Sequence, residues 1–128
     1  MKVLVDTHTF IWDLEANPKS SRKAIEILRS DSSELIFSLV SLWEIAIKIK
    51  LGKLSAIGSS VAYIRDEMNA YGMEFLPIRY EHILQLEALP AHHGDPFDRL
   101  LIAQAIAESL PILTHDRKFS LYPVKLIW

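Results

Sequence analysis

Short apolar runs alternate along the chain with longer stretches whose apolar residues recur at helical spacing. Val3 to Val5, Leu35 to Phe37, and Ile112 to Leu113 with its flanks have the length and character of fully buried strands; Glu74 to Leu76 and Val124 to Ile127 are two further strand candidates. Between them, Pro18 to Ser30 carries Ile25, Ile27 and Leu28. Val40 to Leu51 is apolar almost all the way round, which predicts a largely buried helix, and it stops at Gly52, a residue suited to the position just past a helix end. Ser59 to Tyr71 and Tyr80 to Leu89 each allow a helix. The clearest start signal is Asp95-Pro96-Phe97-Asp98: Asp95 is the N-cap and Pro96 the first helical residue of a helix through Leu100, Leu101, Ile102, Ala105 and Ile106. Strands alternating with helices predict an α/β domain with a mostly parallel sheet. Ligands of such sheets bind outside the carboxyl ends of the strands.

Composition narrows the picture. At 128 residues, half of them hydrophobic, the chain is read as one domain spanning residues 1–128. Lys and Arg total 14 against 16 Asp and Glu, so the net charge of -2 supplies no global basic field, and any polyanion site must be local. The absence of cysteine removes disulfides, thiolate catalysis and cysteine-based zinc sites. Neither a signal-peptide core nor a membrane span can be drawn, which gives the expectation of a soluble, cytoplasmic protein.

Against that background, four acids stand out. Asp6 ends the first strand run, and Leu110-Pro111-Ile112-Leu113-Thr114-His115-Asp116 again runs from apolar residues into Thr and an acid. An Asp or Thr directly after a strand is also a common N-cap, but two in the same strand-end setting point to a ligand crevice. Ser41, Glu44 and Lys48 form one narrow polar stripe on an otherwise apolar helix. Ser41 and Glu44 fit a capping box if the helix starts at Ser41, and Glu44 with Lys48 fits an ordinary ion pair one turn apart. A buried carboxylate, however, needs a partner or a metal. Asp98 lies in the first turn of the helix capped by Asp95, where it interacts favourably with the helix dipole; Ala103, Ala105 and Ala107 allow that helix to pack closely and draw Asp98 inward. Gathered in one crevice, four carboxylates repel unless a cation or protons neutralise them. Oxygen-only ligands suit Mg²⁺ or Mn²⁺, and the chemistry that follows is metal-assisted phosphodiester hydrolysis.

Asp6 after the first strand, Ser41-Leu42-Trp43-Glu44-Ile45-Ala46-Ile47-Lys48, the helix opening Asp95 to Ala105, and Thr114-His115-Asp116 in this order resemble the PIN-domain family. The likeness is closest to the VapC-type toxins of toxin-antitoxin pairs, and it runs from Met1 to Trp128. It implies a three-layer α/β/α domain around a short, mostly parallel sheet, a Mg²⁺- or Mn²⁺-dependent endoribonuclease, an RNA substrate, a cognate antitoxin and a homodimer. Carried over by position, the acidic cluster falls on Asp6, Glu44, Asp98 and Asp116. Asp6, Asp98 and Asp116 are then metal ligands, Asp116 directly or through water, and Glu44 orients water. Thr7 and Thr114 are candidates to hydrogen-bond the acids or a phosphate, or to cap helices.

Cations near the acids are Arg99 and Arg117, taken first as phosphate contacts, and Lys48, Lys50 and Lys53, which equally compensate a helix C-terminus. Trp12 and Trp43 are candidates for base stacking, with Trp43 expected in the core. Three rival readings are an inactive PIN-like interaction module, a haloacid-dehalogenase-type phosphatase and an HD-type phosphohydrolase. For the phosphatase, the second acid two residues after Asp6 is replaced by His8. An HD-type site would draw on His115-Asp116 and His92-His93, but that family is all-helical, and the three histidines are expected in loops.

Overall fold

A computed structural model describes residues 1–54 and 60–128. The elements are β1 (Lys2–Val5), α1 (Thr7–Leu14), α2 (Arg22–Arg29), β2 (Glu34–Ser38), α3 (Leu39–Lys50), α4 (Val61–Ala70), β3 (Glu74–Leu76), α5 (Tyr80–Ala88), α6 (Pro96–Ala107), β4 (Ile112–Leu113), a 3₁₀ turn (Arg117–Leu121) and β5 (Leu126–Ile127). The sheet is wholly parallel in the order β3-β2-β1-β4-β5, with Val3 level with Leu35, and Leu4 level with Ile112.

The strand runs look uniformly apolar in sequence because both faces of the sheet are covered. Alternation sorts their side chains all the same. Val3, Val5, Leu35, Phe37 and Leu113 pack against Phe10 of α1, Ile27 and Leu28 of α2, Ile45 of α3 and Met68 of α4. Leu4, Ile36 and Ile112 face the other way, onto Leu101, Ile102 and Ala105 of α6 and onto Phe119 and Tyr122. The result is the three-layer arrangement expected from the sequence. Asp95 caps α6 as foreseen, accepting from the N–H groups of Phe97 and Asp98 at 2.9 and 3.1 Å. Ala103 and Ala105 are buried there, whereas Ala107 is exposed.

Four helices end in the same way. After α1, α3, α4 and α6 a residue adopts the left-handed conformation: Ala16 (φ 52°), Gly52 (φ 71°), Gly72 (φ 71°) and Ser109 (φ 56°). The N–H of the next residue reaches back to the last turn, as Lys53 does to the Lys48 carbonyl at 2.9 Å and Met73 to Met68 at 3.0 Å. Gly52 therefore stands where the sequence put it.

Two elements depart from the sequence reading. Helix α1 directly follows Asp6, where no helix was drawn, and residues 18–21 precede α2 as turn and cap, with the Ser21 hydroxyl accepting from Ala24 N–H at 3.0 Å. Ser59, read as the start of the third helical stretch, lies outside the described residues; α4 is capped by Ser60. Among the described residues no helix is long and apolar enough to cross a membrane.

Candidate active site

The chain lays down β1, β2 and β3 in one direction, then returns to the other side of β1 with β4 and β5. The strand order thus reverses between β1 and β4. At such a switch point the loops leaving neighbouring strands diverge to opposite faces and open a crevice. Asp6 leaves β1 and Thr114 to Asp116 leave β4, so both acid-bearing strand ends open on this crevice.

Asp6 occupies the N-cap position of α1, yet its side chain makes no capping hydrogen bond. Its carboxylate instead accepts from the Thr114 hydroxyl at 3.0 Å. Thr114 is buried and its oxygen also accepts from the Asp116 N–H at 3.0 Å, so one hydroxyl ties the two strand ends together. Burial pushes the Asp6 carboxyl up to about 7; the Thr114 hydroxyl and Thr7 N–H favour its ionised form, while the charges of Glu44 and Asp116 oppose it. Asp116 has a structural duty as well, its Oδ1 accepting from the Lys118 N–H at 2.9 Å at the start of the 3₁₀ turn.

Helix α3 brings Glu44. The helix starts at Leu39 and is capped by Ser38, whose hydroxyl accepts from Val40 N–H at 3.0 Å, so Ser41 is not a cap and no Ser41–Glu44 capping box forms. Ser41 faces inward and accepts from the Thr7 hydroxyl at 2.7 Å. Glu44 is 5 % exposed. The Lys48 ammonium donates to it at 3.0 Å and contacts Nε2 of His8 at 3.2 Å, while burial and the Lys48 charge hold the His8 pKa below its ordinary value. Helix α3, expected to be largely buried, is not buried all round. Ser41 and Glu44 of its polar stripe are buried and Lys48 is half-buried, while its apolar row Leu39, Trp43, Ile47 and Leu51 is exposed. Trp43, expected in the core, is 56 % exposed and rests edge-on against Phe97 at 4.9 Å.

Asp98, half-buried in the first turn of α6, is the fourth acid. Desolvation raises its carboxyl to about 7, and the charges of Asp95, Asp6, Glu44 and Asp116 add to the rise. Four carboxylates from four segments therefore share one electrostatic environment. Among the described residues no three His, Asp or Glu side chains stand close enough to enclose a metal ion. The arrangement is an open, all-oxygen crevice, suited to an ion that keeps several of its waters and takes few protein ligands, as Mg²⁺ does. Two carboxyls held near neutral pKa by burial and mutual repulsion are what a divalent cation would relieve.

Beside Asp6 and Asp116 lies a cavity of ≈ 440 Å³, lined by these two acids and by His8, Thr9, Trp12, His115, Arg117 and Lys118. Arg117 is exposed at this cavity, whereas Arg99 directs its guanidinium to the carbonyls of Pro90 (2.8 Å) and Leu89 (3.3 Å) and to the Tyr122 hydroxyl (3.3 Å). His92, His93 and His115 are loop residues, as expected. Sequence reasoning missed Ser38, and it gave no role to Gln104 or His82, which are fully buried and hydrogen-bonded to each other. A Gln inside the apolar α6 run and a His in α5 were the available signals.

The sequence matches the PIN domain family model over residues 3–125. The fold is similar to that of a chain in the crystal structure of VapBC2 from Rickettsia felis bound to a DNA fragment from their promoter, with a TM-score of 0.73 and 16% identity over 99% of this chain and 98% of that one. It is also similar to a chain of the DNA-bound VapBC from Salmonella typhimurium, with a TM-score of 0.68 and 19% identity over 99% and 97% of the two chains. FitAcB from Neisseria gonorrhoeae gives a TM-score of 0.68 and 17% identity over 100% of this chain and 97% of that chain. No curated protein matches the sequence. The doubly wound parallel sheet, the acids at its switch point and the family match lead to one conclusion: the chain belongs to the PIN domain family.

Proposed function

We propose that this protein is a Mg²⁺- or Mn²⁺-dependent endoribonuclease that hydrolyses RNA phosphodiester bonds, and that it is the VapC-type toxin of a toxin-antitoxin pair. The observation that carries this reading is the convergence of Asp6, Glu44, Asp98 and Asp116 on one crevice, with burial and mutual repulsion holding Asp6 and Asp98 near a pKa of about 7. Asp6, Asp98 and Asp116 are the residues that would hold the ion. When bound, a divalent ion supplies charge neutralisation and Lewis-acid activation for phosphodiester hydrolysis. Thr114 fixes the rotamer of Asp6, and Thr7 fixes Ser41 one turn ahead of Glu44. Glu44, paired with Lys48, orients the attacking water. Arg117 meets substrate phosphate, and Arg99 braces the loop ahead of α6.

A cognate antitoxin as partner is supported by the likeness in fold to chains of VapBC complexes and of a toxin-antitoxin complex from Klebsiella pneumoniae. The exposed row Leu39, Trp43, Ile47 and Leu51 supports a homodimer, since contiguous apolar surface of this kind marks interaction sites. The site of action is the cytoplasm, where RNA is available. The test is to map new RNA 5′ ends after incubating purified protein with total cellular RNA and Mg²⁺ or Mn²⁺, beside Asp98→Asn and an EDTA control. Defined ends are expected with wild type and metal only. Indistinguishable ends in wild type and variant would sink the ribonuclease reading.

A further inference from the structure

Glu44 and Asp98 reach the crevice on two helices that touch along one register. Trp43 and Phe97, the residues just before the two acids, meet edge-on at 4.9 Å. Six residues from Glu44 towards the cap of α3, and six from Asp98 towards the end of α6, stand Ser38 and Gln104, and the Ser38 hydroxyl donates to the Gln104 side-chain oxygen. The helices therefore run past each other in opposite directions, joined beside the acids and again about 9 Å away, the rise of six helical residues. Both partners of the second joint are fully buried, and each is fixed in direction. The Ser38 oxygen accepts from Val40 N–H at 3.0 Å, which leaves its proton for Gln104. The Gln104 amide nitrogen is held by the Pro77 carbonyl at 3.3 Å and by Nδ1 of His82 at 3.2 Å, which turns the amide oxygen to Ser38.

We propose that Gln104 is a positioning residue: bonded to Ser38, it sets the register of α6 against α3 and thereby the placing of Asp98 relative to Glu44. The proposal rests on the metal-site reading of the acids and deepens it by assigning a buried residue that carries no charge. Apolar contacts such as those of Leu101, Ile102 and Ala105 hold α6 down without direction, so they allow helices to slide. A hydrogen bond between two buried, fully committed groups does not. A buried amide in an apolar helix is also a poor source of stability, since apolar groups of the same shape in place of both partners would serve nearly as well. Leverage makes the joint consequential. Turning one helix there by about 10° would carry its acid roughly 1.5 Å, and a displacement of about 1 Å can cost about a hundredfold in rate.

The test reads position separately from stability. With fluorotryptophan in place of tryptophan, fluorine NMR of the metal-free protein gives a resonance for each of Trp12, Trp43 and Trp128, and Trp43→Phe identifies that of Trp43. Gln104→Met keeps the length of the side chain and loses its bonds, and Ser38→Ala removes the other partner. They are compared with Ser38→Thr, which keeps the hydroxyl, and with Ile102→Val, an apolar change in α6 outside the joint. In Gln104→Met and Ser38→Ala the Trp43 resonance is expected to shift or split while those of Trp12 and Trp128 stay. Mn²⁺ affinity, read from free Mn²⁺ by electron paramagnetic resonance, is expected to fall roughly tenfold in the same two variants. Ser38→Thr and Ile102→Val are expected to match wild type in both. A bond that only stabilised the fold would move the unfolding midpoint and neither readout. The proposal is overturned by a Trp43 resonance that stays put in Gln104→Met and Ser38→Ala, or that moves as far in Ile102→Val, or that moves with no change in Mn²⁺ affinity. Should Gln104→Met not fold, Ser38→Ala decides. A wild type that takes up no Mn²⁺ removes the metal-dependent nuclease reading instead, and the Trp43 resonance alone then decides the register.

Discussion

Asp6 shows how one residue type at one position takes on several loads. A carboxylate after a strand is ordinarily a cap, but here Asp6 makes no side-chain capping bond to α1 and the Thr114 hydroxyl donates to its oxygen instead. The cost appears in the proton balance. Asp6 and Asp98 rise from 3.8 in an ordinary setting to about 7 in the fold, so between these values the folded chain binds more protons than the unfolded one. Stability from these two groups is therefore full below pH 4 and is lost as pH rises through 7. Thermal unfolding of the metal-free protein should show Asp98→Asn gaining on wild type as pH goes from about 5 to 8, and added Mg²⁺ or Mn²⁺ should narrow the gap by stabilising wild type. A gap independent of pH would contradict this account. The identities of the acids were legible in sequence, but their hydrogen bonds were not. Thr7, read beside the acids or as a cap, instead meets Ser41, 34 positions away.

At the scale of elements, strand ends and helix stops were readable because they rest on local chemistry: Asp95-Pro96 opens α6 and Gly52 closes α3. Helix α1 was missed because its eight residues, THTFIWDL, mix β-branched and aromatic residues of modest helix propensity, and it is held by burying Phe10 and Ile11. The exposed row of α3, with Trp43 in it, was missed for a different reason. Periodicity locates the polar stripe without saying which side is wet, and here burial of Ser41 and Glu44 serves the crevice. The helix stops also differ in quality. Gly52 and Gly72 accept the left-handed conformation without strain, whereas Ala16 and Ser109 carry a Cβ there. Ala16→Gly and Ser109→Gly should each stabilise the fold by about 0.5–1 kcal/mol, because relief of that strain outweighs the added freedom of the unfolded chain. Urea unfolding midpoints read the change, and a loss of stability would show that these turns are not strained.

Across the whole molecule, a polar chain runs through the layer that holds α5 and α6 to the sheet. The Ser38 hydroxyl donates to Gln104, whose Nε2 reaches the Pro77 carbonyl at 3.3 Å and Nδ1 of His82 at 3.2 Å. Because Nδ1 also accepts from Arg79 N–H at 3.0 Å, Nε2 carries the proton toward Glu108, also at 3.0 Å. Gln104→Leu would strand these buried partners, and a loss of about 1–3 kcal/mol is expected in the same urea experiment. An unchanged midpoint would mean that water replaces the amide. None of these contacts was legible in the sequence, since Ser38, Pro77, His82 and Gln104 meet only once the sheet has ordered its helices. The position of β1 has one more consequence. It precedes the other four strands of the sheet and stands at its centre, yet Asp6 receives its hydroxyl from Thr114, 108 positions downstream. While the chain is still emerging from the ribosome it carries Asp6 and Glu44 but neither Thr114 nor Asp116. The cluster of acids is thus completed only once synthesis has passed β4.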